Sequence, residues 1–507
     1  MRRLSARRAE RRSLGVRQAP WRRLRNPYPA MRAVSDDQLE AIHLTSLELL
    51  EREGLEILSD VALDRLSKER QRVDRSTSCV RFDRDWILGR IATAPAEFVL
   101  HARNPERWLA FGGNNIVFCP VGGTPNCHDV ERGRRPGDWT DYQDLIRLAH
   151  SLNCLHTISS GMLAAQDLDA RTRHLDGYFA MATLSDKVGS ASLLGGHRAR
   201  DAVEMNALAR GLSIAEVIER PGVFGNINTN SPRRVDGPMI DGLTAMAELG
   251  QPVVVTPFTL AGAMGPVTLA GALALQNAEA LAMLAYAQTV RPGTPVVYGS
   301  FTSNVDMRTG SPAFGTPEYA KATIVGGQLA RRYKLPYRTS NCTAAPVVDA
   351  QAAYESQMSL WPAVMSYGNM IFHSAGWLEA GLIASYEKFI LDAEQLQMMA
   401  AFLDPITTEP ADFALDAYAE VLPGGHFFGA RHTIERYENA FYMPLLSDWR
   451  NYQAWEADGS RTATQRATAL WKTLLDSYTP PPIDPARKEA LADYVARRRS
   501  VYLAISD

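Results

Sequence analysis

From about residue 138 onward, one unit recurs through the chain: a short apolar, β-branched run, then small polar residues, then a helix-forming stretch. The runs fall at 155–159, 188–194, 223–227, 253–258, 296–301, 337–342 and 370–373. Helical patterns lie between them at 172–185, 199–210, 239–249, 270–290, 317–333 and 349–367. Units of about 30 to 45 residues leave each crossover long enough to join parallel strands. Seven strands are readable, and an eighth is expected near Phe427. Alternation this regular predicts an α/β fold, a (β/α)8 TIM barrel, with an open parallel sheet as the alternative. No Gly-x-Gly-x-x-Gly follows these runs and no Gly-Lys-Ser/Thr loop is present, which weighs against dinucleotide and P-loop nucleotide sites.

The flanks read differently. Residues 1–33 are arginine-rich and end in Asn26-Pro27-Tyr28-Pro29; they are expected to form a basic, disordered tail. Arg11-Arg12 is followed by Pro20 and Trp21 rather than an apolar run, so no export signal is expected. Residues 34–137 form an α+β N-terminal part that packs on the barrel. It opens with a helix at 35–53, capped by Ser35 and closed by Gly54. The barrel spans 138–430, and 431–507 is a helical C-terminal segment. A formal net charge of -2 at pH 7 gives no field favouring nucleic acid. No apolar run is long enough to cross a bilayer. Five cysteines without a Cys-x-x-Cys fit a reducing compartment, and the expected location is the cytoplasm.

In a barrel, the carboxyl ends of the strands converge on one face, so those ends supply the candidate site. They carry Asn228, Phe258, Tyr298, Phe301, Cys342, His373 and Trp377, and the loop after Phe301 adds Asn304, Asp306 and Arg308. The polar groups are mostly neutral and the rings recur. There is no nucleophile–base–acid triad and no carboxylate cluster of the kind that holds Mg²⁺ or Ca²⁺. Neutral amides and aromatic rings suit a cation that cannot donate hydrogen bonds, and a quaternary ammonium is such a cation. Each ring taken alone also reads as core packing. Cys119, Cys127-His128 and Cys154-Leu155-His156 could offer zinc ligands, but their spacing matches no standard site, so no bound metal is expected. Cys342 at a strand end is a candidate nucleophile.

Longer motifs carry a resemblance. Phe301-Thr-Ser-Asn-Val-Asp-Met-Arg-Thr-Gly-Ser-Pro, Gly315-Thr-Pro-Glu, and Pro346-Val-Val-Asp-Ala-Gln-Ala-Ala-Tyr-Glu resemble the trimethylamine methyltransferase family. So do His373-Ser-Ala-Gly-Trp-Leu-Glu-Ala-Gly, Gly425-His-Phe-Phe-Gly with His432-Thr, and the arginine-rich head ending in Asn26-Pro27-Tyr28. The likeness implies a TIM barrel that moves a methyl group from a methylated amine to the cob(I)alamin of a separate corrinoid protein. The chain itself is then expected to bind no cofactor; cobalamin arrives on its partner. Founding members carry pyrrolysine in the loop after the sixth of these strands. Here that loop is Ser340-Asn341-Cys342-Thr343-Ala344-Ala345, so the chain looks like the branch without pyrrolysine, which includes glycine betaine methyltransferases.

Chemistry points the same way. A quaternary ammonium loses methyl to leave a neutral amine, whereas trimethylamine would leave an amide anion. The expected substrate is glycine betaine or a similar quaternary amine. The alternatives are a trimethylamine:corrinoid methyltransferase and a non-catalytic quaternary-amine binding protein. On this reading His373, Asn304 and Tyr298 are the candidate catalytic residues. Phe258, Tyr298 and Trp377 would cradle the ammonium, and Arg308, Asn304 or His373 would hold a substrate carboxylate. Phe301, Asn228, Asp306 and Cys342 complete the candidate pocket. Self-association is left open.

Overall fold

The computed structural model describes residues 16–504; the rest of the basic head, through residue 15, lies outside the described residues. Eight short strands form its centre: β1 (Asn115–Phe118), β2 (Thr157–Ile158), β3 (Val188–Ala191), β4 (Val223–Ile227), β5 (Val253–Val255), β6 (Val296–Gly299), β7 (Tyr337–Ser340) and β8 (Met370–Phe372). They pair in parallel in the order β1-β8-β7-β6-β5-β4-β3-β2. A ninth strand, Leu24–Arg25, runs antiparallel along β1. The sheet curls, and His156, just before β2, bonds Phe118 on β1. The His156 N–H donates to the Phe118 carbonyl (3.0 Å), and the Phe118 N–H donates to His156 Nδ1 (2.9 Å).

Each strand feeds a helix: α1 (Trp139–Ser151), α2 (Arg173–Leu184), α3 (Gly196–Arg210), α4 (Gly237–Glu248), α5 (Leu269–Val290), α6 (Pro317–Arg332), α7 (Ala350–Met365) and α8 (Tyr386–Phe402). Caps fix many of the starts. Thr316 accepts from the Tyr319 N–H ahead of Pro317 at the first helical position of α6, and Asp236 does the same for α4. Strand side chains alternate between two buried layers, as the period of two requires. On β4, Val223 and Ile227 pack outward among the helices, while Phe224 turns inward beside Val117, Val188, Val254, Val297 and Met370.

The N-terminal part plugs that interior. A hairpin of Phe98–Leu100 and Leu109–Phe111 adds Leu100, Leu109 and Phe111 to the same core. His101, in the connection between its strands, donates its N–H to the carbonyl of Pro221, two residues before β4, so the plug enters at the amino ends of the strands. Helix α5 is apolar around most of its surface because the helix Asp36–Arg52 covers its outer side. No helix among the described residues is long and apolar enough to cross a membrane.

Two expectations are corrected. No strand lies near Phe427: Phe427–Gly429 is one turn of 3-10 helix, and the eighth parallel strand is Asn115–Phe118. Residues 16–33, expected within a disordered tail, are packed. The Ala19 N–H donates to Gln397 (2.8 Å), and the buried Asn26 amide donates to the Val364 carbonyl (3.0 Å).

Candidate functional site

The carboxyl ends of β5 to β8 bring together most of the rings that the sequence singles out. Just beyond the tips of β5 and β6, the short strands Phe258–Ala261 and Phe301–Val305 pair in parallel, with Pro312–Ala313 added antiparallel. This small sheet holds Phe258 and Phe301 with centroids 5.1 Å apart. Phe301 stacks on Phe314 at 5.3 Å, and Phe314 meets Trp377 edge-on at 5.3 Å. His373 lies flat on Trp377 at 4.9 Å and faces Phe301 at 5.8 Å. Trp377, Phe314 and Phe301 are buried, whereas Phe258, His373 and Asn304 keep part of their surface open at the mouth.

His373 follows β8 directly and sits at φ 55°, a left-handed conformation that a non-glycine residue adopts at a cost. Burial, and then the charge of Arg338, push its pKa far below the usual imidazole value. The ring is therefore neutral at pH 7 and adds no positive charge to the ring cluster.

Arg338, on β7, is the residue that sequence reasoning missed. It is buried, with its guanidinium over the ring of Phe372 at 4.5 Å and of Phe301 at 5.1 Å. Its Nε and Nη1 have no hydrogen-bond partner among the described residues, and no carboxylate pairs with it there. An unpaired buried cation is costly, and such groups are normally matched. Here an anion of the right size could accept a fork of two N–H bonds. The available signal was one charged residue, Arg338, in an otherwise uncharged strand run.

The other candidates divide. Cys342 lies inside the cluster: its Sγ is 3.8 Å from His373 Nδ1 and accepts from the Tyr319 hydroxyl at 3.8 Å. Burial pushes its thiol up to about 12, so it is a neutral thiol rather than an activated nucleophile. Asn304 is tied into its loop, receiving the Thr316 hydroxyl (3.1 Å) and donating to the Val305 carbonyl (3.2 Å). Asn228 points inward from beyond β4 and receives the Asn226 amide (2.8 Å).

Three candidates fall outside the cluster. Tyr298 faces the helix layer, where its hydroxyl donates to Asn277 (2.9 Å) and its ring lies 5.9 Å from Tyr333. It cannot also cradle a ligand at the strand tips. Asp306 and Arg308 sit exposed at the tip of the hairpin loop, and Asp306 accepts the Arg308 backbone N–H (3.1 Å) and the Thr309 hydroxyl (2.7 Å). Arg308 is thus too far out to anchor a buried carboxylate. Of the suggested zinc ligands, His156 is occupied otherwise: it uses Nδ1 for Phe118 and Nε2 for the Arg22 carbonyl (3.0 Å).

The sequence profile of the family described as Trimethylamine methyltransferase (MTTB) matches residues 1–502. A glycine betaine methyltransferase of Desulfitobacterium hafniense (strain Y51) is 38% identical over 472 residues, covering 93% of this chain and 98% of that protein. Trimethylamine methyltransferase MttB of Desulfitobacterium hafniense (strain DSM 10664 / DCB-2) is 27% identical, covering 92% of this chain and 94% of its own. A proline betaine:corrinoid methyltransferase of Eubacterium limosum is 25% identical, covering 91% and 96%. Among solved structures, the monomethylamine methyltransferase MtmB of Methanosarcina barkeri matches with a TM-score of 0.46 at 11% identity, covering 92% of this chain and 96% of that one.

Proposed function

The chain belongs to the trimethylamine methyltransferase family, and from that premise we propose that this methyltransferase demethylates a quaternary amine bearing a carboxylate, glycine betaine or a close relative. The observation that carries the reading is Arg338: a buried guanidinium with no carboxylate partner among the described residues, beside a cluster of aromatic rings. A trimethylammonium alone would be repelled by that charge. A betaine places its carboxylate between the two cations, so Arg338 takes the carboxylate while Phe258, Phe301 and Trp377 face the methyl groups.

A corrinoid, carried by a partner protein, supplies the cobalt(I) nucleophile that accepts the methyl group. The residues of this chain position the substrate. Departure of methyl leaves a neutral tertiary amine, so no general base is needed, and the neutral His373 ring and Cys342 thiol add no charge beside the ammonium. The half-open Phe258, Asn304 and His373 leave the pocket accessible from the strand tips, the side opposite the N-terminal plug. We read the eight parallel strands as a closed (β/α)8 barrel, with His156 completing the β1–β2 seam. The N-terminal part, the barrel and the C-terminal helical segment are its proposed divisions.

The test is methyl transfer from glycine betaine to chemically reduced cobalamin, or to a native corrinoid protein, followed by the cobalamin absorbance. Glycine betaine should be consumed and trimethylamine and choline left largely untouched. Turnover of trimethylamine with none of glycine betaine would overturn the substrate. Tight binding without transfer to either acceptor would favour a binding protein.

A further inference from the structure

The connection from β8 to α8 carries His373 and Trp377, whose rings stack at 4.9 Å. Between them Gly376 makes the turn at φ 94°. Helix α8 grips this glycine. The Gly376 N–H donates to Asp392 (2.9 Å), and its carbonyl accepts the N–H of Ser385, the cap of α8 (2.9 Å). A Cβ at 376 would meet the Phe389 ring at 2.6 Å. Only glycine combines that φ with so close an approach. The Trp377 carbonyl in turn accepts the Thr343 hydroxyl (2.9 Å), so this wall of the site continues into the loop after β7.

Asp392 itself is fully buried between α7 and α8. Its other oxygen accepts from Lys388 Nζ (2.5 Å) and from the Ser356 hydroxyl (3.1 Å), and Lys388 also donates to Ser356 (2.7 Å). Lys388 is buried as completely as its partner. An ion pair out of reach of water is a poor source of stability: desolvation offsets most of the attraction, and apolar side chains of similar volume often do as well or better. Burial pushes the Asp392 carboxyl up, against the pull of Lys388. What apolar side chains cannot supply is an acceptor for the Gly376 N–H, and a buried N–H left without one is costly. We propose that Asp392 is a positioning residue for methyl transfer: with Lys388 as its counter-ion it holds the Gly376 amide, and thereby fixes the Trp377 ring against His373 and aims it at the ammonium. The aim at the ammonium rests on the quaternary-amine reading above; the anchoring of the loop does not.

The test compares a pair of double substitutions in the full chain. Lys388→Met with Asp392→Leu removes both charges and the acceptor. Lys388→Met with Asp392→Asn removes the same charges but keeps an oxygen for Gly376 and an amide for Ser356. Thermal melts establish that the variants fold; should the leucine variant fail, Lys388→Met with Asp392→Ala takes its place. In methyl transfer from glycine betaine to reduced cobalamin, the leucine variant should lose about 100-fold in kcat, the scale of a misplacement near 1 Å, while KM changes little because Arg338 is untouched. The asparagine variant should recover most of that loss, whatever the order of the melting temperatures. Amide exchange over 373–378, followed by mass spectrometry, should quicken in the leucine variant and stay slow in the asparagine variant. Exchange needs no turnover, so a wild type inactive on glycine betaine would sink the substrate reading while exchange still decides the anchoring. A folded leucine variant with wild-type kcat, or with exchange over 373–378 as slow as wild type, would overturn the proposal. So would an asparagine variant as impaired as the leucine one.

Discussion

Arg338 separates binding from stability. Replacing it with Met removes a lone buried charge, so the melting temperature should hold or rise. The same change should lower kcat/KM for glycine betaine by ~30-fold or more, since losing one partner of a desolvated charge pair costs ~2–5 kcal/mol. Arg338→Lys keeps the charge but loses the planar fork, and an intermediate loss of ~10-fold is expected. Steady-state kinetics beside thermal melts would check both. Tyr298→Phe should behave in the opposite sense. Its hydroxyl serves Asn277 in the helix layer, so the change should cost ~1 kcal/mol of stability and leave kcat/KM unchanged. These two residues also mark where the sequence was ambiguous. A strand buried on both faces reads as one apolar run, and nothing in that run tells which parity faces the interior. Arg338 was passed over and Tyr298 singled out for that reason, whereas Phe258, Phe301, His373 and Trp377 follow the strand tips and meet in the ring cluster.

Two carboxylates hold the C-terminal helix Pro485–Ala504: Asp176 on α2 pairs with Arg499, and Asp201 gathers the larger set of bonds. Asp201 on α3 accepts from His174 (3.0 Å), Tyr494 (2.8 Å) and Arg498 (2.7 Å), and from the Tyr502 hydroxyl. Burial pushes the Asp201 carboxyl up, but the bonds from His174 and the three C-terminal residues outweigh it and hold it below the usual carboxylate range. A depressed carboxylate contributes stability above its unfolded pKa, and that contribution is lost as pH falls through the folded value. Asp201→Ala strands these donors and should cost ~3 kcal/mol. Amide hydrogen exchange should then quicken across 485–504 and remain slow in β4 and β5. The existence of this helix was legible from its composition. Its docking was not, because the residues that meet at Asp201 lie about 300 positions apart in the chain. The eighth strand escaped for a related reason: Asn115–Phe118 follows a hairpin rather than a helix, so it broke the rhythm that revealed the other seven.

Across the whole molecule, several histidines are buried without a proton. Burial, with Arg332 next, lowers His43 to about 4; burial, with Lys187 next, does the same for His150; burial lowers His156 to about 4; and burial, with Arg338 next, holds His373 well below the usual imidazole value. In the unfolded chain each would titrate near ~6.5. Between about 4 and 6.5 the unfolded chain therefore binds more protons than the folded one. Stability from these groups is complete above ~6.5 and declines as pH falls through that window, by up to ~1.4 kcal/mol per pH unit for each imidazole. The melting temperature should drop from pH 7.5 to 5.0. Carboxyls raised by burial, such as Glu279, act in the opposite sense, so one imidazole has to be isolated. At pH 5.5 an unfolded histidine is ~90% protonated and a buried one almost not at all, so each contributes ~0.9 proton to the uptake on unfolding. His156→Gln should reduce that uptake, measured by titration of an unbuffered sample, by ~0.9 proton. Because His156 bridges β1, β2 and the Arg22 carbonyl, the variant should also melt at a lower temperature at pH 7.5. An unchanged uptake would mean that the ring is already charged in the folded protein, and that the seam between the two ends of the sheet is held by a cation rather than by a neutral ring.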